Sequence, residues 1–95
     1  MTRNDAMKKV AEALRMIQEM SGRPLDEITE DTVPIGGLAG FDSLNGVEVA
    51  VIVGAVTEKG LVNVCVSEDG RRALSVGEIT DAVLRLASNR NGRRK

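Results

Sequence analysis

The sequence predicts a small single domain that opens and closes on an amphipathic helix. Three observations carry this. Apolar residues recur at helical spacing over 5–21 and again after residue 75. The 95-residue chain is 42% hydrophobic and 28% charged, enough apolar material for one modest core and too much for a disordered chain. Helix-breaking residues gather between these two regions, with both prolines and three glycines falling between Arg23 and Phe41.

In the first helix Met7, Val10, Leu14 and Ile17 make the apolar stripe, and Lys8, Lys9, Glu12, Arg15 and Glu19 fall mostly on other faces. Gly22 is a natural stop and Pro24 blocks continuation. Residues 23–41 then read as a long acidic loop, with Leu25, Ile28 and Ile35 as its anchors to the core. Loops of that length in small domains are functional or disordered. The stretch VEVAVIVGAV, residues 47–56, admits two readings. Its β-branched residues suit a buried strand, and Asn45-Gly46 ahead of it suits a hairpin. Asp42 as N-cap and Glu58-Lys59-Gly60 as C-terminal signal instead suit a helix over 43–59, apolar nearly all round and therefore heavily buried. LVNVCV (61–66) alternates weakly, and Ser67-Glu68-Asp69-Gly70 reads as a turn. Ser75-Val76-Gly77-Glu78 fits a capping box opening the last helix, whose stripe is Val76, Ile79, Val83 and Leu86. Asn89 and Gly92 mark its end. The division is thus a domain over 1–88 and a basic, disordered tail over 89–95.

Composition excludes much chemistry. There is no histidine, so neither a Ser/His/Asp triad nor a histidine-activated Cys65 can be built, and zinc ligation is close to excluded. Cys65 among Val62, Val64 and Val66 reads as a packed apolar thiol. PIGGLAG lacks the Gly-Lys-Ser/Thr of a phosphate loop, and SEDGRR has the wrong ligand spacing for calcium. With one Phe and no Trp or Tyr, platforms for stacking nucleic-acid bases are missing, and NRNGRRK reads as a solvated tail. No signal-peptide core or membrane-length apolar run appears, which predicts a soluble cytoplasmic protein. The net charge of −1 hides an asymmetry: between Arg23 and Lys59 there is no base, while Asp26, Glu27, Glu30, Asp31, Asp42, Glu48 and Glu58 supply seven acids. That acidic middle steers basic partners toward Ser43.

Ser43 is the candidate site that survives, and Asp42-Ser43 on its own is also an ordinary helix N-cap. Gly40-Phe41-Asp42-Ser43-Leu44, followed by Val47-Glu48, resembles the Asp-Ser-Leu motif and following Val-Glu pair of the acyl carrier proteins. The likeness extends over most of the chain: first helix, long loop with Leu25-Asp26-Glu27-Ile28, motif, and the late Leu74-Ser75-Val76-Gly77-Glu78-Ile79 helix, in family order. It implies an all-α four-helix bundle with a long loop between helices 1 and 2 and a short third helix near 61–70, so the middle segment becomes the second helix. It implies that the chain is not an enzyme but a substrate. A phosphopantetheinyl transferase, using coenzyme A and magnesium, attaches 4′-phosphopantetheine to the Ser43 hydroxyl, and the arm's thiol then carries acyl groups as thioesters. Asp42, Leu44, Val47 and Glu48 are the implied recognition residues for the transferase and for acyl-loading and acyl-processing enzymes with basic docking patches, and the carrier is a monomer.

Free amides and the helix dipole at the start of the second helix are expected to favour the phosphodiester's charge. Asn45 stands where family members carry another acid, and Gly54 and Ala55 replace later acids, which predicts a carrier for a specialised fatty-acid, lipid or polyketide-type pathway. Glycine inside a helix costs about 1 kcal/mol relative to alanine, so Asn45-Gly46 predicts local mobility beside Ser43. Two rivals are an unmodified helical interaction module of the same fold and a small α+β domain with a hairpin at Asn45-Gly46.

Overall fold

The computed structural model describes residues 2–24, 27–55, 60 and 62–92. The first helix, α1, spans Arg3–Met20. Thr2 caps it: its Oγ1 accepts the Asp5 amide at 3.1 Å, and the Asp5 carboxylate accepts the Thr2 amide at 3.4 Å. Ala6, Val10, Ala13, Leu14 and Ile17 form its buried stripe. Gly22, at φ +68°, turns the chain so that the amides of Gly22 and Arg23 reach the carbonyls of Glu19 and Gln18, a Schellman ending that the glycine in the sequence predicts.

The long loop is ordered by its own apolar residues. Pro34, Leu38 and Phe41 are buried, and Ile28 and Ile35 pack against the core as expected; Leu25 lies outside the described residues. One short turn of the chain, α2 (Pro34–Gly37), sits within it, closed by the Leu38 amide on the Pro34 carbonyl at 3.0 Å. Its Ile35 (φ −73°, ψ 114°) and Gly36 (φ 91°, ψ −20°) have type II turn dihedrals, which explains the glycine there.

The ambiguous middle is a helix. The third element, α3, spans Ser43–Val53, which rejects both the strand and the hairpin at Asn45-Gly46. It is shorter than the expected 43–59. Gly54 (φ +75°) ends it, with the Ala55 amide bonded back to the Ala50 carbonyl at 2.8 Å; Glu58 and Lys59 lie outside the described residues. Its expected burial is also corrected. Val49 and Ala50 face the core, while Leu44 (71% exposed), Val51 (53%) and Ile52 (41%) do not.

The short third helix expected near 61–70 is absent among the described residues, and a tight reversal takes its place. Val66 and Ala73 pair antiparallel, the Leu74 amide donates to the Cys65 carbonyl at 2.9 Å, and the Ser67 amide donates to the Arg72 carbonyl at 2.8 Å. The Asn63 side chain takes the Cys65 amide, and Gly70 (φ +73°) closes the turn with Ser67 and Asp69. Local side-chain acceptors compete with helical hydrogen bonds for these amides, and β-branched valines do not favour the helix. Among the described residues there is no extended strand, so the domain is mostly helical.

The last helix, α4, spans Val76–Gly92 and opens on the expected capping box: Ser75 Oγ accepts the Glu78 amide at 3.3 Å, and Glu78 Oε1 accepts the Ser75 amide at 3.0 Å. The long loop satisfies two further amides, its Thr32 and Glu30 carbonyls accepting from Val76 at 2.7 Å and Gly77 at 2.9 Å. Arg3 clips the same corner, bonding Glu30 at 2.8 Å and Asp81 at 3.0 Å. Residues 89–92, assigned to the tail, continue the helix; 93–95 lie outside the described residues. With α1 packed against both α3 and α4, the core is aliphatic apart from Phe41 and Cys65. No described helix is long and apolar enough to cross a membrane.

The Arg72 guanidinium, with the Ser75 amide, holds the Glu78 carboxyl down to about 2 from its ordinary 4.5. Because the folded value is the lower one, the stability linked to this group is complete above pH 4.5 and is lost as pH falls toward 2. Urea unfolding should therefore show the parent chain and Glu78→Gln drawing together across that window, and a gap independent of pH would contradict it.

Candidate functional site

The site forms where the long loop becomes α3. Asp42 is extended (φ −130°, ψ −172°), and its Oδ1 accepts the amides of Leu44 at 3.0 Å and Asn45 at 3.3 Å. The reciprocal half of the box comes from Asn45, whose Oδ1 accepts the Asp42 amide at 3.1 Å. Ser43 is the first helical residue and its side chain is exposed. Among the described residues none hydrogen-bonds the Ser43 hydroxyl.

This geometry corrects the expected anion site. The Leu44 and Asn45 amides are already held by Asp42, and the Gly46 amide donates to the Asp42 carbonyl at 3.2 Å. What remains for an added anion is the dipole and the amide of Ser43, with Asp42 competing for the same positive end.

Beneath the cap lies a polar network joining three segments of the chain. Asn45 is only 7% exposed; its Oδ1 also accepts Arg23 Nη1 at 3.0 Å, and its Nδ2 donates to Glu48 Oε1 at 2.6 Å. Arg23 Nη1 lies 3.3 Å from Gln18 Oε1, and Gln18, 1% exposed, donates from Nε2 to the Ala39 carbonyl at 2.8 Å. Gly40 makes room, since a Cβ there would stand 2.8 Å from Arg23 Nε. The C-terminal end of α1, the loop at 39–42 and the first turn of α3 thus share one hydrogen-bonded seam.

From the opposite side Asn63 donates from Nδ2 to the Ser43 carbonyl at 3.1 Å, while its Oδ1 accepts the Cys65 amide at 2.9 Å. Its amide lies so close to Gly46 that a Cβ on residue 46 would sit 1.9 Å from Asn63 Oδ1. The mobility predicted from Asn45-Gly46 therefore has no counterpart in the packing: both residues are buried and bonded, and the glycine is a packing requirement.

Of the residues singled out by sequence, Asp42, Ser43, Leu44 and Glu48 are brought to one exposed end of α3, with Val47 half-buried beside them. Glu48 is exposed, but one carboxylate oxygen is engaged by Asn45. Cys65 is fully buried, as expected, and burial pushes its thiol up to about 12. Sequence reasoning missed Gln18, Arg23 and Asn63. Gln18 carried a signal, being a polar residue four positions after Leu14 on the apolar stripe. Among the described residues no group of three or more acids or cysteines stands together to hold a metal ion. No family model matches the chain, and neither a curated protein nor a solved structure is significantly similar to it.

The Gly46–Asn63 contact has an energetic signature. Alanine at 46 should gain about 1 kcal/mol of helix propensity but displace Asn63 from two hydrogen bonds worth about 1 kcal/mol each. Chemical denaturation should find Gly46→Ala destabilising by about 1 kcal/mol in the parent chain and stabilising by a similar amount in an Asn63→Ala background. The same sign in both backgrounds would show that the contact does not decide the residue.

Proposed function

We propose that this chain is a carrier that is modified on Ser43, with 4′-phosphopantetheine attached to the hydroxyl and acyl intermediates held on the arm as thioesters. The observation that carries the reading is the state of Ser43: an exposed hydroxyl, unengaged among the described residues, in the first turn of a helix that follows a long ordered loop. It stands inside the Asp-Ser-Leu and Val-Glu segment that resembles the acyl carrier proteins. A long helix before the site, and another at the C-terminal side packed against it, are compatible with that family's bundle, although no short helix stands between α3 and α4 among the described residues.

Each residue then has a role that its surroundings permit. Ser43 is the acceptor. It needs no basic neighbour of its own, because the transferase and its magnesium provide activation. Asp42 commits Oδ1 to the cap, which leaves Oδ2 to meet an incoming metal or cationic group. Leu44, exposed next to the hydroxyl, with Val47 and Glu48 a turn further, forms the surface that partner enzymes touch. Exposed ion pairs of this kind are worth about 0–1 kcal/mol each, so Asp42 and Glu48 contribute steering and register more than affinity. The scarcity of acids on α3 beyond Glu48 supports a carrier serving a dedicated pathway rather than general fatty-acid synthesis.

The deciding measurement is intact mass after incubation with coenzyme A, magnesium and a broad-specificity phosphopantetheinyl transferase. The parent chain should gain one phosphopantetheine, and Ser43→Ala should gain none while keeping its helical circular dichroism. A folded parent that stays unmodified with several transferases would refute the proposal and leave an unmodified helical interaction module.

A further inference from the structure

Asn63 is distant from Ser43 in the chain, yet among the described residues it is the side chain from outside α3 that hydrogen-bonds to Ser43. The bond goes to the Ser43 carbonyl. In an α-helix that carbonyl already accepts the amide four residues on, so Asn63 takes up its second lone pair. A neutral bond of this kind contributes modestly to stability, and its role is not confined to that. What the contact does is fix the direction of the peptide from which the Ser43 side chain departs.

The clamp is itself anchored. Asn63 Oδ1 accepts the amide of Cys65, which is fully buried, and the Cys65 carbonyl accepts the amide of buried Leu74 at 2.9 Å. The opposing surface is Gly46, where any Cβ would stand 1.9 Å from Asn63 Oδ1. The side-chain amide is therefore held at both ends, between the core and the first turn of α3, and Arg23 and Asn45 brace that turn from its other side.

We infer that Asn63 is a positioning residue for group transfer to Ser43, holding the first turn of α3 so that the hydroxyl meets the transferase in reactive alignment. The inference rests on the carrier reading. In the transfer a bond forms between Ser43 Oγ and the phosphorus bearing the pantetheine arm, the bond from that phosphorus to the nucleotide half of coenzyme A breaks, and the hydroxyl proton passes to the transferase. Oγ must approach in line with the leaving oxygen, and misplacement by about 1 Å costs up to about 100-fold. A residue that orients the peptide acts on turnover rather than on recognition.

Asn63→Asp separates the clamp from its anchor. The carboxylate still accepts the Cys65 amide, but it loses the donor to the Ser43 carbonyl and sets an oxygen against it. Steady-state loading of the full chain with coenzyme A should show kcat reduced roughly tenfold, with KM for the carrier changed less than about twofold. Hydrogen exchange at the Cys65 amide should match the parent, showing the loop intact. Should that protection be lost, Gly46→Ala, which displaces the same amide from the other side, should give the same kcat loss. Parent-like kcat in a variant lacking the donor, or a loss entirely in KM, overturns the inference while leaving the carrier reading in place. A parent chain that accepts no arm removes both.

Discussion

One side-chain amide holds the site together. Asn45 is buried at the start of α3, and its oxygen receives the Asp42 amide and the Arg23 guanidinium while its nitrogen gives to Glu48. No other residue type of this size does all three. A carboxylate at 45 would accept from Asp42 and Arg23 but stand opposite the Glu48 carboxylate at hydrogen-bond distance, two like charges with one guanidinium between them. An aliphatic residue would leave the Arg23 and Asp42 donors competing for water at a buried seam, at about 1–3 kcal/mol for each orphaned group. The amide is thus what allows a cation from the end of α1 and an acid from the surface of α3 to meet without touching. Gln18 does the same work at the next link, passing the seam to the Ala39 carbonyl.

This seam explains how α3 exists at all. Its sequence, SLNGVEVAVIV, is poor helix-forming material, with five β-branched residues and an internal glycine. Propensity alone does not choose helix here. The capping box at Asp42 and Asn45, the Schellman closure at Gly54, and burial of Val49 and Ala50 against α1 outweigh it. The helix ends where its caps are, at Val53, rather than where its apolar run ends. Leu44, Val51 and Ile52 then face outward, so among the described residues the end of the molecule around Ser43 offers Asp42, Glu48 and an exposed Leu44.

What could be read from the sequence follows from how local each signal is. The stripes of α1 and α4, the Ser75–Glu78 box, the Gly22 stop, the Asp42 cap and the burial of Cys65 depend on neighbours within a turn or two, and all of them appear. The choice between helix and strand at 47–56 lies beyond local pattern, because the caps and the β-branched residues oppose each other locally and the packing of Val49 and Ala50 against α1 tips the balance. The reversal at 62–74 replaced an expected helix because Asn63 and Ser67 commit their side chains to nearby amides, a competition that hydrophobic periodicity does not register. At the site, Asp42, Ser43, Leu44 and Glu48 were legible as one contiguous segment. Arg23 and Asn63 were not, since each reaches Ser43's surroundings from about 20 residues away, 22 from Arg23 to Asn45 and 20 from Asn63 to Ser43.

Gly46 shows why such long-range terms can invert a local inference. Taken alone, a glycine in the first turn of a helix is a weak point, and next to the exposed Ser43 it suggests local mobility. Against Asn63 it is the opposite: the absent Cβ is what lets the amide lie on the helix and hold the Ser43 carbonyl. On the carrier reading proposed above, Ser43 is an acceptor for another enzyme and has no need of a neighbouring base. Its own protein can supply two things, an unobstructed hydroxyl and a backbone that does not wander while a partner aligns with it. Ser43 has the first by its exposure. For the second, the turn that carries it is tied at its N-terminal edge to Arg23 through Asn45 and at its outer carbonyl to the core through Asn63. The glycine, far from loosening that turn, is the condition for holding it from both sides.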